Sequence, residues 1–227
     1  MKRIVALLVF CLAGAVLNVY TGNFFRDALG VPLFMDTLFT VALSFYSGPV
    51  YGVLTGLLTN PIINMINFYG WPDLLYALCN AAAALVTVLF IRLFPGELRF
   101  GAGKAAKTGE SETMADNSRI RALMNILVAL LLLSFVMCIA MSILGGLITV
   151  LINAFSQGSS SPSPERLFKL ALLRKELPSA LIEILSRIPL NIIDRLLSVF
   201  GGYGVAALLW RLFPRHSRGK PTASPGT

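Results

Sequence analysis

Three groups of polar side chains interrupt the apolar segments of this chain, each at spacings that place its members on one face of a helix. The groups are Asn60, Asn64 and Asn67; Asp73, Tyr76, Asn80 and Thr87; and Arg187, Asn191, Asp194, Arg195 and Ser198. Amides, carboxylates and guanidinium groups form directional hydrogen bonds, which is the chemistry of holding a polar small molecule. Such groups are costly in apolar surroundings, so each needs a partner or a purpose.

The candidate substrate-binding residues come from these three groups. They are Asn60, Asn64, Asn67, Asp73, Tyr76, Asn80, Asn191, Asp194 and Arg195. Together they predict a polar cavity in the outer half of a helix bundle, open to the outside. Two alternatives stay open. Asparagines also join packed helices, at about 0.6–2 kcal/mol per contact, and Asp194 with Arg195 could form a structural ion pair that involves Asp36.

Aromatic residues near the same segments have two interpretations. Tyr69, Trp71 and Tyr76 could anchor the chain at the membrane–water interface, which is the commoner use of such residues. They could instead stack on a flat ligand. Phe24 and Phe25 could likewise cover the cavity or dip into lipid.

Catalytic and metal chemistry are not expected from this sequence. The acidic residues within the apolar part are scattered and form no local motif for an enzyme. The one histidine, His216, lies in a basic tail, and the three cysteines lie in apolar runs without CxxC spacing. The segment GAGK ending at Lys104 is not a phosphate loop. The phosphate-loop motif requires a glycine at position 98, and this chain has Leu98 there.

The composition indicates a membrane protein. Of 227 residues, 56% are hydrophobic and 13% are charged, and the mean hydropathy is +0.76. Soluble domains carry about 25% charged residues. A soluble domain of this size has too little interior to hide so much apolar surface, so we expect an all-α polytopic membrane protein.

Six apolar segments predict a bundle of six transmembrane helices. They span residues 4–20, 35–46, 49–65, 73–93, 120–155 and 188–212. The second and third are short, so they need to tilt or to be shielded by protein. Lys and Arg residues are twice as numerous on the side of the termini as on the other side, which predicts that both termini are cytoplasmic.

The remaining segments divide the chain around one integral membrane domain, residues 1–213. Residues 95–118 form a predicted cytoplasmic linker, residues 156–187 an extracellular loop with an interfacial helix, and residues 214–227 a disordered basic tail. The ladder Gly48, Gly52 and Gly56 predicts close helix packing in the third helix. A cleaved signal peptide is the alternative interpretation of the first helix, with Ala13-Gly14-Ala15 as the cleavage-like triplet.

Two segments resemble the substrate-binding (S) components of energy-coupling factor (ECF) transporters. Residues 31–60 carry Asp-Thr at 36–37, Gly-Pro at 48–49 and GVLTGLLTN at 52–60, which is similar to the second and third helices of that family. Residues 188–204 look like its last helix. The chain departs from the family in the first helix, where Cys11 and Ala15 stand in place of an Ala-x-x-x-Ala docking pattern.

The resemblance implies a membrane component that captures a vitamin or vitamin-like micronutrient in an outward-facing polar cavity. It also implies partners: a small-molecule ligand, a transmembrane coupling subunit and two ATPase subunits, in the bacterial cytoplasmic membrane. No cofactor is expected in this chain, since the partner subunits hydrolyse ATP, and no nucleic acid is expected. The alternative is a membrane sensor or scaffold protein that signals through its cytoplasmic loop.

Overall fold

The computed structural model describes residues 2–68, 70–95, 98, 112–155, 165–173 and 177–214, and the regular structure in these residues is helical. The helices are α1 (Lys2–Asn23), α2 (Leu38–Ser47), α3 (Pro49–Asn67), α4 (Ala77–Leu93), α5 (Glu112–Phe155), α6 (Arg166–Leu173) and α7 (Ser179–Leu212). A π-helical turn, Phe24–Ala28, extends α1, and a 3₁₀ turn, Trp71–Tyr76, precedes α4. The expectation of an all-helical protein is therefore confirmed.

Four helical segments are long and apolar enough to cross a membrane. They are Ile4–Ala28, Trp71–Leu93, Ile120–Phe155 and Ser179–Leu212. Their large apolar side chains are widely exposed, for example Val9 at 61% and Leu131 at 51%. Exposed apolar surface on this scale is covered by lipid or protein rather than by water. The fold and composition together define a membrane helix bundle.

The short helix α2 lies inside the bundle. It has ten residues, and all seven from Thr40 to Tyr46 are buried. It packs against α7, α3, α4 and α1. The neighbouring helices shield the polar backbone groups at the ends of α2 from lipid. This is the protein shielding that we expect for a segment too short to cross a membrane alone.

The long helices begin earlier than the sequence predicts. Helix α5 begins at Glu112, within the predicted linker, and α7 begins at Ser179 instead of residue 188. The predicted start at 188 is wrong, because α7 continues through Pro189. Membrane helices tolerate such a proline, since neighbouring helices and side chains satisfy the backbone groups that it frees. Most of the predicted linker and basic tail lies outside the described residues.

Helix α3 also continues through a proline. It includes Pro61 and ends at Asn67, followed by Phe68 in the left-handed conformation with φ +53°. The asparagines of the first polar group therefore belong to one helix. Asp73, in contrast, lies in the 3₁₀ turn that leads into α4, not in the α-helix itself.

Two glycines of the predicted ladder permit close helix approach. A Cβ at Gly56 would lie 2.7 Å from the carbonyl carbon of Asn80 on α4, and one at Gly52 would lie 3.1 Å from Cα of Ser44 on α2. Gly48 is different, because it ends α2 with φ +91° and has no neighbour within 4 Å of such a Cβ among the described residues. Gly48 thus serves the turn, and its assignment to the packing ladder is wrong.

Candidate functional site

A cavity of about 280 Å³ lies inside the bundle. It is near the small end of the range for ligand pockets, about 300–1,000 Å³. Residues from α1, α3, the 3₁₀ turn, α4, α5, α6, α7 and the connections between them line it. Its polar and charged lining residues are Asn18, Asn23, Arg26, Asp36, Asn60, Asn64, Asp73, Tyr76, Asn80, Thr149, Asn153, Glu165, Lys169, Arg187, Asn191 and Arg195.

Seven of the nine candidate residues line this cavity. They are Asn60, Asn64, Asp73, Tyr76, Asn80, Asn191 and Arg195. The three polar groups of the sequence therefore meet in one place, although they come from α3, the 3₁₀ turn with α4, and α7. Their role in binding a substrate stays a prediction.

The other two candidates, Asn67 and Asp194, are not on the cavity wall. Nδ2 of Asn67 donates to Oδ1 of Asn23 over 3.4 Å. Asp194 is fully buried, where Oδ1 accepts a hydrogen bond from the backbone N–H of Met35 at 2.8 Å and Oδ2 pairs with Arg195. Its carboxylate is thus occupied by protein groups, which favours a structural role for Asp194.

Arg195 joins α7 to the start of α2. Its Nη1 donates to Oγ1 of Thr37 at 2.7 Å, and its Nη2 lies 3.9 Å from Oδ1 of Asp36. Asp36 in turn accepts a hydrogen bond from Nδ2 of Asn80 at 3.2 Å. The ion pair that the sequence offered as an alternative is therefore present. Arg195 and Asp36 also line the cavity.

The asparagines differ in how far they are satisfied. Asn64 donates to the carbonyl of Gly70 at 3.0 Å, and Asn191 donates to Oγ of Ser142 at 2.8 Å. Each of these amides contacts another part of the chain, as helix-joining asparagines do, and each also lines the cavity. Asn60 is 4% exposed, and its Nδ2 has no hydrogen-bond partner among the described residues.

Arg187 is a cavity residue outside the predicted set. Its Nη2 donates to Oγ1 of Thr149 at 2.7 Å and to Oη of Tyr76 at 3.3 Å, and lies 2.7 Å from Oε1 of Glu165. Its guanidinium carbon lies 5.6 Å from the centre of the Tyr76 ring and 6.0 Å from that of Phe34. We call Arg187, Phe34, Tyr76, Thr149 and Glu165 the Arg187 cluster. The position of Arg187 in the third polar group was the signal that could have identified it.

The short helix predicted in the outer loop exists as α6 and lies against α7 over part of the cavity. Lys169 of α6 lies 2.7 Å from Oε2 of Glu183 and 3.8 Å from Oε1 of Glu165. Both Glu165 and Lys169 line the cavity. Sequence reasoning missed them because they lie in a segment whose spacing fits an interfacial helix.

Asn18 is a further cavity residue outside the predicted set. It is fully buried in α1, and its Nδ2 donates to Oγ1 of Thr40 at 3.0 Å and to Oγ1 of Thr59 at 3.1 Å. Its Oδ1 accepts from the backbone N–H of Phe39 at 2.8 Å. We call these four residues the Asn18 cluster, which joins α1, α2 and α3. A lone amide within an apolar helix was a signal for a buried partner.

The aromatic residues divide between the two interpretations. Trp71 is 86% exposed, as a residue at the membrane interface would be, whereas Tyr76 lines the cavity. Tyr69 lies outside the described residues.

The cavity combines amides, hydroxyls and both signs of charge, which can fix the orientation of a small polar molecule. Within the described ranges, no group of three or more His, Cys, Asp or Glu side chains could hold a metal ion. No protein-family model, curated protein or solved structure matches the chain.

Proposed function

We propose that this protein is the membrane substrate-capture component of an ATP-driven importer of the ECF type, which binds a vitamin or vitamin-like micronutrient. The observation that carries the proposal is the cavity of about 280 Å³, in which side chains from separate helices converge inside an otherwise apolar bundle. Buried polar groups within a membrane bundle mark ligand or ion pathways. The resemblance of residues 31–60 and 188–204 to ECF substrate-binding components supplies the transport class.

The proposed topology has six crossings, of which α2 and α3 are the second and the third. Both termini lie in the cytoplasm. In this arrangement the connections after the first, third and fifth crossings lie outside. All three contribute to the cavity lining: Arg26 and Phe34 after α1, Gly70 and Pro72 after α3, and Glu165 after α5. The excess of Lys and Arg on the side of the termini supports this orientation. The cavity then opens to the outer side of the membrane, from which a nutrient arrives.

Energy for uptake comes from partner subunits in this proposal. A transmembrane coupling subunit and two ATPases assemble with the bundle in the bacterial cytoplasmic membrane, and ATP hydrolysis on those subunits drives release of the ligand inside. The absence of a phosphate-loop motif around Lys104 in the sequence is consistent with this division of labour.

Purification tests the proposal. The full chain, isolated from its own membranes in a mild detergent, should co-purify with a coupling subunit and ATPases. Mass spectrometry of the denatured complex should detect a retained small molecule. A well-folded, monodisperse preparation that retains no small molecule and associates with no ATPase would contradict the transport function.

A further inference from the structure

The guanidinium of Arg187 is fixed by several elements of the bundle. Thr149 on α5 and Tyr76 in the 3₁₀ turn accept its hydrogen bonds. Gly145 on α5 provides the space, because a Cβ there would lie 3.2 Å from Nη1 of Arg187. The residue is 6% exposed, yet it lines the cavity. The guanidinium is thus held in a defined position at the cavity wall.

The Arg187 cluster leaves hydrogen-bonding capacity unused. In the described part of the chain, Nε of Arg187 has no hydrogen-bond partner. Both carboxylate oxygens of Glu165 are likewise buried without a hydrogen bond, so the 2.7 Å contact of Oε1 with Nη2 is an ion pair outside hydrogen-bond geometry. Buried charged groups without aligned partners are costly, so the cluster favours a group that engages both Nε and Nη2.

We propose that the ligand of this cavity carries a carboxylate, which binds the Nε–Nη2 edge of Arg187 and displaces Glu165. The inference rests on the proposed function and names the substrate class. Two carboxylate oxygens match two parallel N–H groups of a guanidinium, whereas Glu165 reaches only Nη2.

The charge of the displaced Glu165 has another partner. Lys169 lies 3.8 Å from Oε1 of Glu165 on the same short segment, and Lys169 also contacts Glu183. Glu165 therefore still has Lys169 as a nearby cation when Arg187 binds the ligand. A neutral ligand that displaced Glu165 would lack this advantage, because it would leave the guanidinium without a counter-charge in a buried site.

The test compares benzoate with benzamide as probes of the subsite. The two molecules have nearly the same shape, and only benzoate carries the charge. With the purified full chain in detergent, benzoate should raise the thermal unfolding temperature more than benzamide does. Its apparent affinity should rise in Glu165→Gln, which removes the internal competitor.

The double variant Arg187→Gln/Glu165→Gln keeps the pair neutral and so avoids a stranded charge. Compared with Glu165→Gln, it should bind benzoate about tenfold more weakly or worse, as expected for the loss of a charge-assisted hydrogen-bonded pair. Arg211→Gln, at an exposed position of the same helix α7, is the matched control and should not change benzoate binding.

Three results would overturn the inference: equal effects of benzoate and benzamide, no benzoate effect in either the native chain or Glu165→Gln, or full benzoate binding in the double variant. The outcome is separable from that of the proposed function. If the natural ligand retained by the protein has no acid group, the carboxylate inference is contradicted and the transport proposal is not. If benzoate binds at Arg187 but the protein associates with no ATPase, the transport proposal is contradicted and the carboxylate inference is not.

Discussion

Asn18 and the Arg187 cluster line the same cavity, and the Asn18 and Arg187 clusters use their polar groups in opposite ways. In the Asn18 cluster, both N–H groups and the oxygen of the amide have protein partners at 2.8–3.1 Å. In the Arg187 cluster, Nε of the arginine and both oxygens of Glu165 are buried without a hydrogen bond from the described residues. The amide of the first cluster is fully hydrogen-bonded, whereas the second cluster contains buried polar atoms without a hydrogen bond among the described residues.

The difference follows from the chemistry of the central side chains. An amide has a small set of donors and acceptors, and two threonine hydroxyls with one backbone N–H fill those of Asn18. A guanidinium has five N–H donors in a rigid fork, so its immediate neighbours satisfy it less easily. Complete polar networks rigidify a bundle, whereas a buried polar group without a partner calls for an explanation, of which a bound molecule is one. This comparison separates structural polar groups from candidate ligand contacts within one cavity.

The largest expected effect concerns uptake through residues on the cavity wall. Asn64→Leu and Asn80→Leu should each abolish uptake of the retained small molecule while leaving expression intact, because both replace a cavity amide with an apolar group. Whole-cell uptake, measured by mass spectrometry, checks this. Asn125→Leu, at an exposed position of α5, is the matched control. Normal uptake in both variants would show that these side chains belong with structural groups like Asn18.

The next effect concerns Arg195, which has both structural and cavity contacts. Arg195→Gln should lower the free energy of unfolding by about 3–5 kcal/mol, because it leaves the fully buried Asp194 without its counter-charge. Thermal unfolding in detergent measures the loss, with Arg211→Gln as the exposed control. An unfolding temperature like that of the control would mean that the Asp194 pair contributes little.

Asn18→Leu tests whether the complete cluster stabilises the bundle. The change should lower the free energy of unfolding by about 1–3 kcal/mol, because it leaves the N–H of Phe39 and the hydroxyls of Thr40 and Thr59 without this partner. The measurement is again thermal unfolding, with Asn125→Leu as control. A variant as stable as the control would remove the structural half of the comparison.

The smallest effect on stability is expected from Arg187→Gln/Glu165→Gln. Replacing both members of a buried ion pair with neutral groups is often neutral or stabilising, so we expect a change within about 1 kcal/mol. This variant should be more stable than Asn18→Leu in the same assay. The opposite order would indicate that the Arg187 cluster, and not the Asn18 cluster, holds the helices together.

The sequence predicted well those features that depend on neighbouring residues. The apolar segments became helices, the spacing of Asn60 and Asn64 put both on the cavity side of α3, and the glycines at 52 and 56 marked close helix contacts. Two predictions were wrong. Helix α7, predicted to begin at residue 188, begins at Ser179 and continues through Pro189, and Gly48 ends α2 and does not join the packing ladder. The continuation through Pro189 depends on neighbouring groups that satisfy the freed backbone, whereas the conformation of Gly48 belongs to the turn between α2 and α3.

Residue types and their periods were enough to determine a helical membrane protein with polar groups on defined helix faces, because burial of apolar surface and the helix period act along the chain itself. Only the tertiary structure decided which polar groups are satisfied. Asn18 and Arg187 could not be ranked from their types, since the residues that hydrogen-bond to them lie 21 to 111 residues away in the chain. Hydrogen-bond satisfaction depends on distances between helices, and packing sets those distances.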